Sequence, residues 1–143
     1  MNWRELGDVS EDVWYDTVTR NDGPSELANK VSWQAARPHS RLVLAMAGKE
    51  CRWGTTENLN KLANKNVLNL KQPLQGDGTR APGFMSFPTW ADGITAAVER
   101  ITSTTYGNGI YVPTVTVRDL VEVFAPASEN NVDAYVALRE RIE

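Results

Sequence analysis

Apolar and polar positions divide the chain into periodic segments separated by a long aperiodic one. After turn residues at "NDGP", Leu27, Val31 and Ala35 recur at spacing four, which predicts a helix over 25–36. "RPHS" interrupts the pattern, and Ser40 is placed to cap a second helix reaching Arg52, with Gly54 positioned to close its C-terminus. That helix holds the longest apolar run, "LVLAMA" at 42–47, which reads as the inside of a domain. From 55 to 88 the texture changes to Asn, Gly, Lys and Pro. Within it "NVLNLK" and "GFMSF" partly alternate around the turn chemistry of "QGDGTR", predicting a small β-hairpin or an ordered loop. Periodicity then returns. Trp90, Ile94, Val98 and Ile101 share one helix face, with Trp90 expected in the core. Thr116 is placed to cap "VRDLVEVF", which Pro126 stops. A last amphipathic helix, "NNVDAYVALRERIE", turns Val132, Tyr135, Leu138 and Ile142 inward. The expected architecture is α+β and mostly α. It is a single domain over 1–143, in which 1–24 is an N-terminal extension packing on the rest.

Composition narrows the chemistry. The 143 residues suffice for a core without staples, and a single cysteine, Cys51, excludes an internal disulfide. A net charge of −3 with no long basic run argues against nucleic-acid binding through phosphate neutralisation. The charged start "MNWRELGDVSED" lacks the apolar stretch of a signal peptide, and 42–47 is too short to span a bilayer, so no membrane insertion is expected. With one histidine, His39, histidine-based zinc clusters cannot be assembled, and no metal or other cofactor is expected. A Ser-His-Asp triad would need that same His39, and no G-x-S-x-G elbow accompanies it. His39 and Cys51 lie twelve residues apart, about 18 Å along a helix, too far to share a proton. His39 reads as a helix-start surface residue and Cys51 as a small buried hydrophobe. No phosphate-cradling glycine loop is present.

Carboxylates remain, and a carboxylate pair suffices to hydrolyse a glycosidic bond. Glu50 follows the apolar run and shares a helix face with Val43, Met46 and Ala47. Burial there and the negative end of the helix dipole both disfavour the charged form, which is what a general acid needs. Trp53 is placed to supply an apolar wall. The competing reading is a solvated helix-end glutamate paired with Lys49 or Arg52.

"AMAGKECRWGT" resembles the A-x-x-x-x-E-S-x-[WF]-G-T segment of lysozyme-like glucosaminidases and muramidases that cut peptidoglycan, glycoside hydrolase family 73 and its relatives. "NVLNLK" at 66–71, "FMSFPTWADGITAAVERI" from Phe84 and "VFAPASENNVDAYVALRERI" resemble further segments of that family in the same order, covering roughly 25–142. Two departures are Cys51, where the family has serine, and Arg52, where it has a small residue.

The resemblance implies a lysozyme-like helical domain with a small β-hairpin lobe flanking a cleft, and Glu50 as the acid protonating the leaving oxygen. For the second carboxylate it points to Asp77 in "QGDGT", or to the substrate's own acetamide, with Glu57 as the next candidate; each of the two also reads as a plain turn or loop carboxylate. Asn66 and Asn69 are expected to tie loop backbone and to meet an acetamido group. Tyr106 and Tyr111 are placed to stack on sugars or to anchor packing, and Tyr135 to reach the cleft floor. The implied partner is the bacterial glycan strand, bound by a monomer. The implied setting is a phage endolysin made in the host cytoplasm without a signal peptide and acting on the wall after release. A lytic transglycosylase using Glu50 alone, and a non-catalytic glycan-binding or virion structural module, are the alternatives.

Overall fold

The structure is a computed structural model that describes residues 2–55, 64–75 and 77–124. These residues are mostly helical. In chain order the helices are α1 (Glu11–Arg20), α2 (Lys30–Ala36), α3 (Ser40–Cys51), α4 (Trp90–Thr102) and α5 (Val117–Phe124), with short 3-10 turns at Trp3–Glu5, Arg52–Gly54 and Tyr106–Asn108. The expected last helix, with Tyr135, lies outside the described residues, as does Pro126.

The apolar run forms the central helix. Leu42, Val43, Leu44, Ala45, Met46 and Ala47 are each at most 2% exposed, so α3 is enclosed on every side rather than along one stripe. Each buried Leu or Met there contributes about 1.5–3 kcal/mol. α2 packs on both α3 and α4. In α4 the buried positions are Trp90, Gly93, Ile94, Ala97 and Ile101; Val98 is only partly buried, because the inward stripe runs through Ala97 instead. Gly93 touches backbone. A Cβ there would stand 2.1 Å from the Lys65 carbonyl oxygen, so α4 lies directly on the 64–70 loop.

Tryptophans pin the remaining segments, each offering a large apolar ring and one N–H donor. Trp14 in α1 donates to the Leu27 carbonyl at 2.8 Å, and Trp33 in α2 donates to the Val9 carbonyl at 2.9 Å. Trp3 donates to Thr114 Oγ1 at 2.9 Å, and Arg4 reaches the carbonyls of Tyr111 and Thr114. The first twenty-four residues therefore contribute core side chains, Trp3, Val9, Trp14 and Val18, and a ten-residue helix that the periodicity reading passed over.

Two helix starts differ from expectation. The segment 25–36 is not one helix. Pro24–Ala28 makes a single turn, Asn29 adopts extended backbone at φ −146°, and its side chain caps α2 by accepting from Ser32 N. Asn29 also donates to the Ser25 and Glu26 carbonyls, so it ends one turn and starts the next. At α3, Ser40 is the first helical residue rather than the cap, and His39 at the cap position makes no side-chain bond. The cap comes from Asp8, whose Oδ1 accepts from Ser40 N at 3.2 Å and Ser40 Oγ at 2.7 Å while Oδ2 meets Arg37 Nε at 2.9 Å. A carboxylate at a helix N-terminus is favoured by the dipole as well.

Burial alone would raise the Asp8 carboxyl, but the bonds from Ser40 and Arg37 outweigh it and hold it below the usual carboxylate range. Its folded value is depressed, so its stabilisation is present above the unfolded value near 4 and is lost as pH falls through the folded one. Asp8→Asn is expected to cost about 1–2 kcal/mol at pH 7. The difference from wild type should shrink toward pH 3 in urea unfolding, and a pH-independent difference would contradict the assignment.

The expected β-hairpin is not formed. Among the described residues no strand occurs, and the only pairing of β type is an isolated antiparallel bridge between Lys71 and Phe84. Met85 N bonds the Leu70 carbonyl at 2.9 Å and Gln75 N the Thr79 carbonyl at 2.7 Å, so the two arms do run alongside each other. Pro73 and Pro82 sit in these arms without an N–H to donate, which prevents a continuous ladder.

Candidate active site

Glu50 lies half-buried in the last turn of α3. The helix is closed not by Gly54 but by Arg52, which adopts left-handed backbone at φ 47° and whose N–H bonds the Ala47 carbonyl. Trp53 at φ 52° and Gly54 at φ 84° continue in the same region. Two successive non-glycine residues there carry a steric cost of roughly 1 kcal/mol or more each. The turn they make folds Trp53 back along α3. Its Nε1 donates to the Leu44 carbonyl at 3.0 Å, and its ring lies so close over Gly48 that a Cβ there would meet Cζ2 at 2.3 Å. Gly48 and Glu50 are separated by about 200° around the helix axis. Trp53 thus packs on the Leu44–Gly48 face and anchors the helix end, rather than walling Glu50 as expected.

The 64–70 loop meets Glu50. Asn69 sits at φ 52°, a region that asparagine tolerates better than most side chains. Its Nδ2 donates to the Glu50 carbonyl and, at 3.1 Å, to Glu50 Oε2. One amide group thereby satisfies an end carbonyl of α3 and orients the carboxylate. Asn66 holds the loop that presents Asn69. Its Oδ1 accepts from Leu70 N at 2.8 Å, and its Nδ2 donates at 3.0 Å to the carbonyls of Leu70 and of Met85. Asn66 is buried with both amide protons used on backbone, so of its two expected roles the structure shows the tie and not contact with an acetamido group.

Asp77 is exposed in its turn, where Oδ1 accepts from Thr79 N at 3.0 Å and Thr79 Oγ1 at 2.6 Å. Those bonds hold its carboxyl below the usual range, so Asp77 is a carboxylate and not an acid at neutral pH. Glu57 and Tyr135 lie outside the described residues. Tyr106 and Tyr111 stack on each other with ring centroids 6.2 Å apart. Tyr111 is buried, and burial pushes its hydroxyl up to about 12, which makes it a packing anchor; Tyr106 is half-buried. Cys51 is buried, and His39, half-buried at the α3 cap, rests its ring 5.7 Å from that of Trp3.

One residue outside the expected set belongs to this neighbourhood. Arg100 on α4 lies 4.8 Å over the Tyr106 ring and donates to the Lys71 carbonyl at 2.8 Å. It lines a pocket of about 270 Å³ beside Leu70, the neighbour of Asn69. In the string "AVERI" it reads as one more helix-surface charge, and no local signal distinguishes it.

Among the described residues there is no group of three His, Cys, Asp or Glu side chains able to hold a metal ion, and no helix is long and apolar enough to cross a membrane. No family model, no curated protein and no solved structure matches the chain.

Proposed function

We propose that the chain is a peptidoglycan glycosidase that cleaves β-1,4 bonds between N-acetylglucosamine and N-acetylmuramic acid, with Glu50 as general acid. The observation that carries this reading is the contact between Asn69 and Glu50. It joins two residues nineteen apart, from two segments that resemble the family's motifs, and it orients the carboxylate that the resemblance assigns as the acid. A buried helix supplies the rigid support a positioned acid requires. In this reading the domain is lysozyme-like, with the paired 70–85 arms, rather than a hairpin lobe, bordering the glycan. Asp77 or the substrate's acetamide completes the second half of the reaction. The protein acts as a monomer on glycan strands, as a phage endolysin or its catalytic module released from the host cytoplasm.

The test is clearing of purified cell wall followed by analysis of the new chain ends. A reducing N-acetylglucosamine or N-acetylmuramic acid end identifies the bond cut. An anhydro end seen by mass spectrometry identifies a lytic transglycosylase instead. Release of no glycan ends overturns the enzymatic reading and leaves a binding or virion structural module.

Asn69→Gly keeps the left-handed backbone and removes both bonds to Glu50. The initial rate of clearing is expected to fall about tenfold, as a loosely held acid loses its alignment. The thermal midpoint should move little. A wild-type rate would remove Asn69 from the site.

A further inference from the structure

The pocket beside Leu70 has a composition that packing alone does not require. Its body is apolar, from Leu70, Met85 and Ala96, and one side is closed by Tyr106 and the Arg100 guanidinium. Arg100 is held rather than free. Nη1 bonds the Lys71 carbonyl at 2.8 Å, Nη2 lies 3.2 Å from Met85 Sδ, and the guanidinium rests on Tyr106. No carboxylate among the described residues pairs with it within 4 Å, although it is half-buried. Glu99 lines the same pocket from the adjacent helix position, is exposed, and makes no such pair among the described residues. A second guanidinium stands close by. Arg80 Nη1 bonds the Gln72 carbonyl at 3.1 Å, one residue from the carbonyl that Arg100 holds. Burial lowers the Arg100 guanidinium from its ordinary value, and the Arg80 charge adds to that lowering. Two cations fixed on neighbouring carbonyls form a receptor for a carboxylate, since arginine presents its donors in a planar fork.

Size limits the occupant. At about 270 Å³ the space falls below the roughly 300 Å³ at which pockets for whole small molecules begin. It accommodates a substituent rather than a disaccharide. The apolar walls suit short aliphatic side chains, which a polyol phosphate lacks. On the reading of the chain as a peptidoglycan glycosidase, we propose that this pocket binds the peptide stem of the glycan strand, with an acidic residue's carboxylate on Arg100 and Arg80 and the preceding small side chain against Leu70 and Met85. Because Leu70 follows Asn69 directly, the peptide would be gripped next to the sugar presented to Glu50. The enzyme would then prefer strands that carry peptides over bare glycan.

The test is calorimetric titration of the full chain with N-acetylmuramyl-L-alanyl-D-glutamate, its diamide, and inorganic phosphate. The free acid is expected to bind at least about tenfold tighter than the diamide, with phosphate weaker than either. Arg100→Gln and Arg80→Gln are each expected to abolish that preference, whereas Glu50→Gln retains it. Arg80 is exposed, so Arg80→Gln decides the matter if Arg100→Gln fails to fold. Equal binding of acid and diamide, phosphate binding as tightly as the acid, or a preference that survives Arg80→Gln overturns the assignment. The two readings fail separately. Wall clearing without a carboxylate preference removes the peptide pocket and leaves the glycosidase. A carboxylate preference without wall clearing removes the glycosidase and leaves a peptide-binding site.

Discussion

Glu50→Gln is expected to lower the rate of wall clearing by at least about two orders of magnitude, the range in which a positioned general acid contributes. The substitution keeps the shape of the side chain, and its carbonyl oxygen can still accept from Asn69 Nδ2. What disappears is the ability to hand a proton to the leaving oxygen. Stability should be nearly unaffected, because Glu50 is only half-buried and the helix beneath it is set by residues 42–47. Turbidity clearing and a thermal melt of the same preparation separate the two effects. Clearing at the wild-type rate would remove Glu50 from the chemistry, and a lowered melting point would assign the loss to folding.

Gly93→Ala is expected to be a strongly damaging change despite its small size. Alanine is the better helix former by about 1 kcal/mol, so on propensity alone the variant should gain stability. At this position its methyl group would lie 2.1 Å from the Lys65 carbonyl oxygen, a backbone atom that no rotamer change can move aside. Either α4 or the 64–70 loop must shift. The net cost is about 2–3 kcal/mol, which for a domain of this size lowers the thermal midpoint by roughly 5–10 °C. Gly48 makes a useful contrast. Its obstruction is the ring of half-buried Trp53, a side chain rather than backbone, so the penalty there should be smaller. Because the 64–70 loop carries Asn69, the Gly93 variant should also lose activity in excess of its unfolded fraction at 25 °C. A midpoint equal to wild type would show that helix and loop do not approach as described.

The parts of this fold that periodicity predicts are those whose burial is decided locally. α3 and α4 carry their apolar residues in runs or at helical spacing, and both form close to the expected bounds. α1 escapes because it buries only Trp14, Thr17 and Val18, and two of its exposed residues, Val13 and Tyr15, blur the stripe. The pairing of 70–75 with 79–85 is visible as turn chemistry, but whether paired arms become strands depends on which N–H groups are available, and prolines remove them. In the site, Glu50 and Asn69 stand out through the resemblance, and their meeting follows from the loop geometry that Asn66 imposes. Arg100 is invisible by any local rule. A helix-surface arginine and a pocket arginine differ only in which loop lies across them, and that loop is fifteen residues or more away in the chain.

The capping of α3 from Asp8 bears on where the folding unit begins. Motif resemblance starts near residue 25, and a shortened version cut there would look complete by that criterion. It would nevertheless remove the carboxylate that starts the central helix, together with Trp3, Trp14 and Val18 from the interior. The helix whose far end holds Glu50 would then begin with bare N–H groups. Glu50 stands at the far end of a helix that Asp8 caps from outside, so an expression boundary drawn around the recognisable motifs would sever that cap while keeping both Glu50 and Asn69.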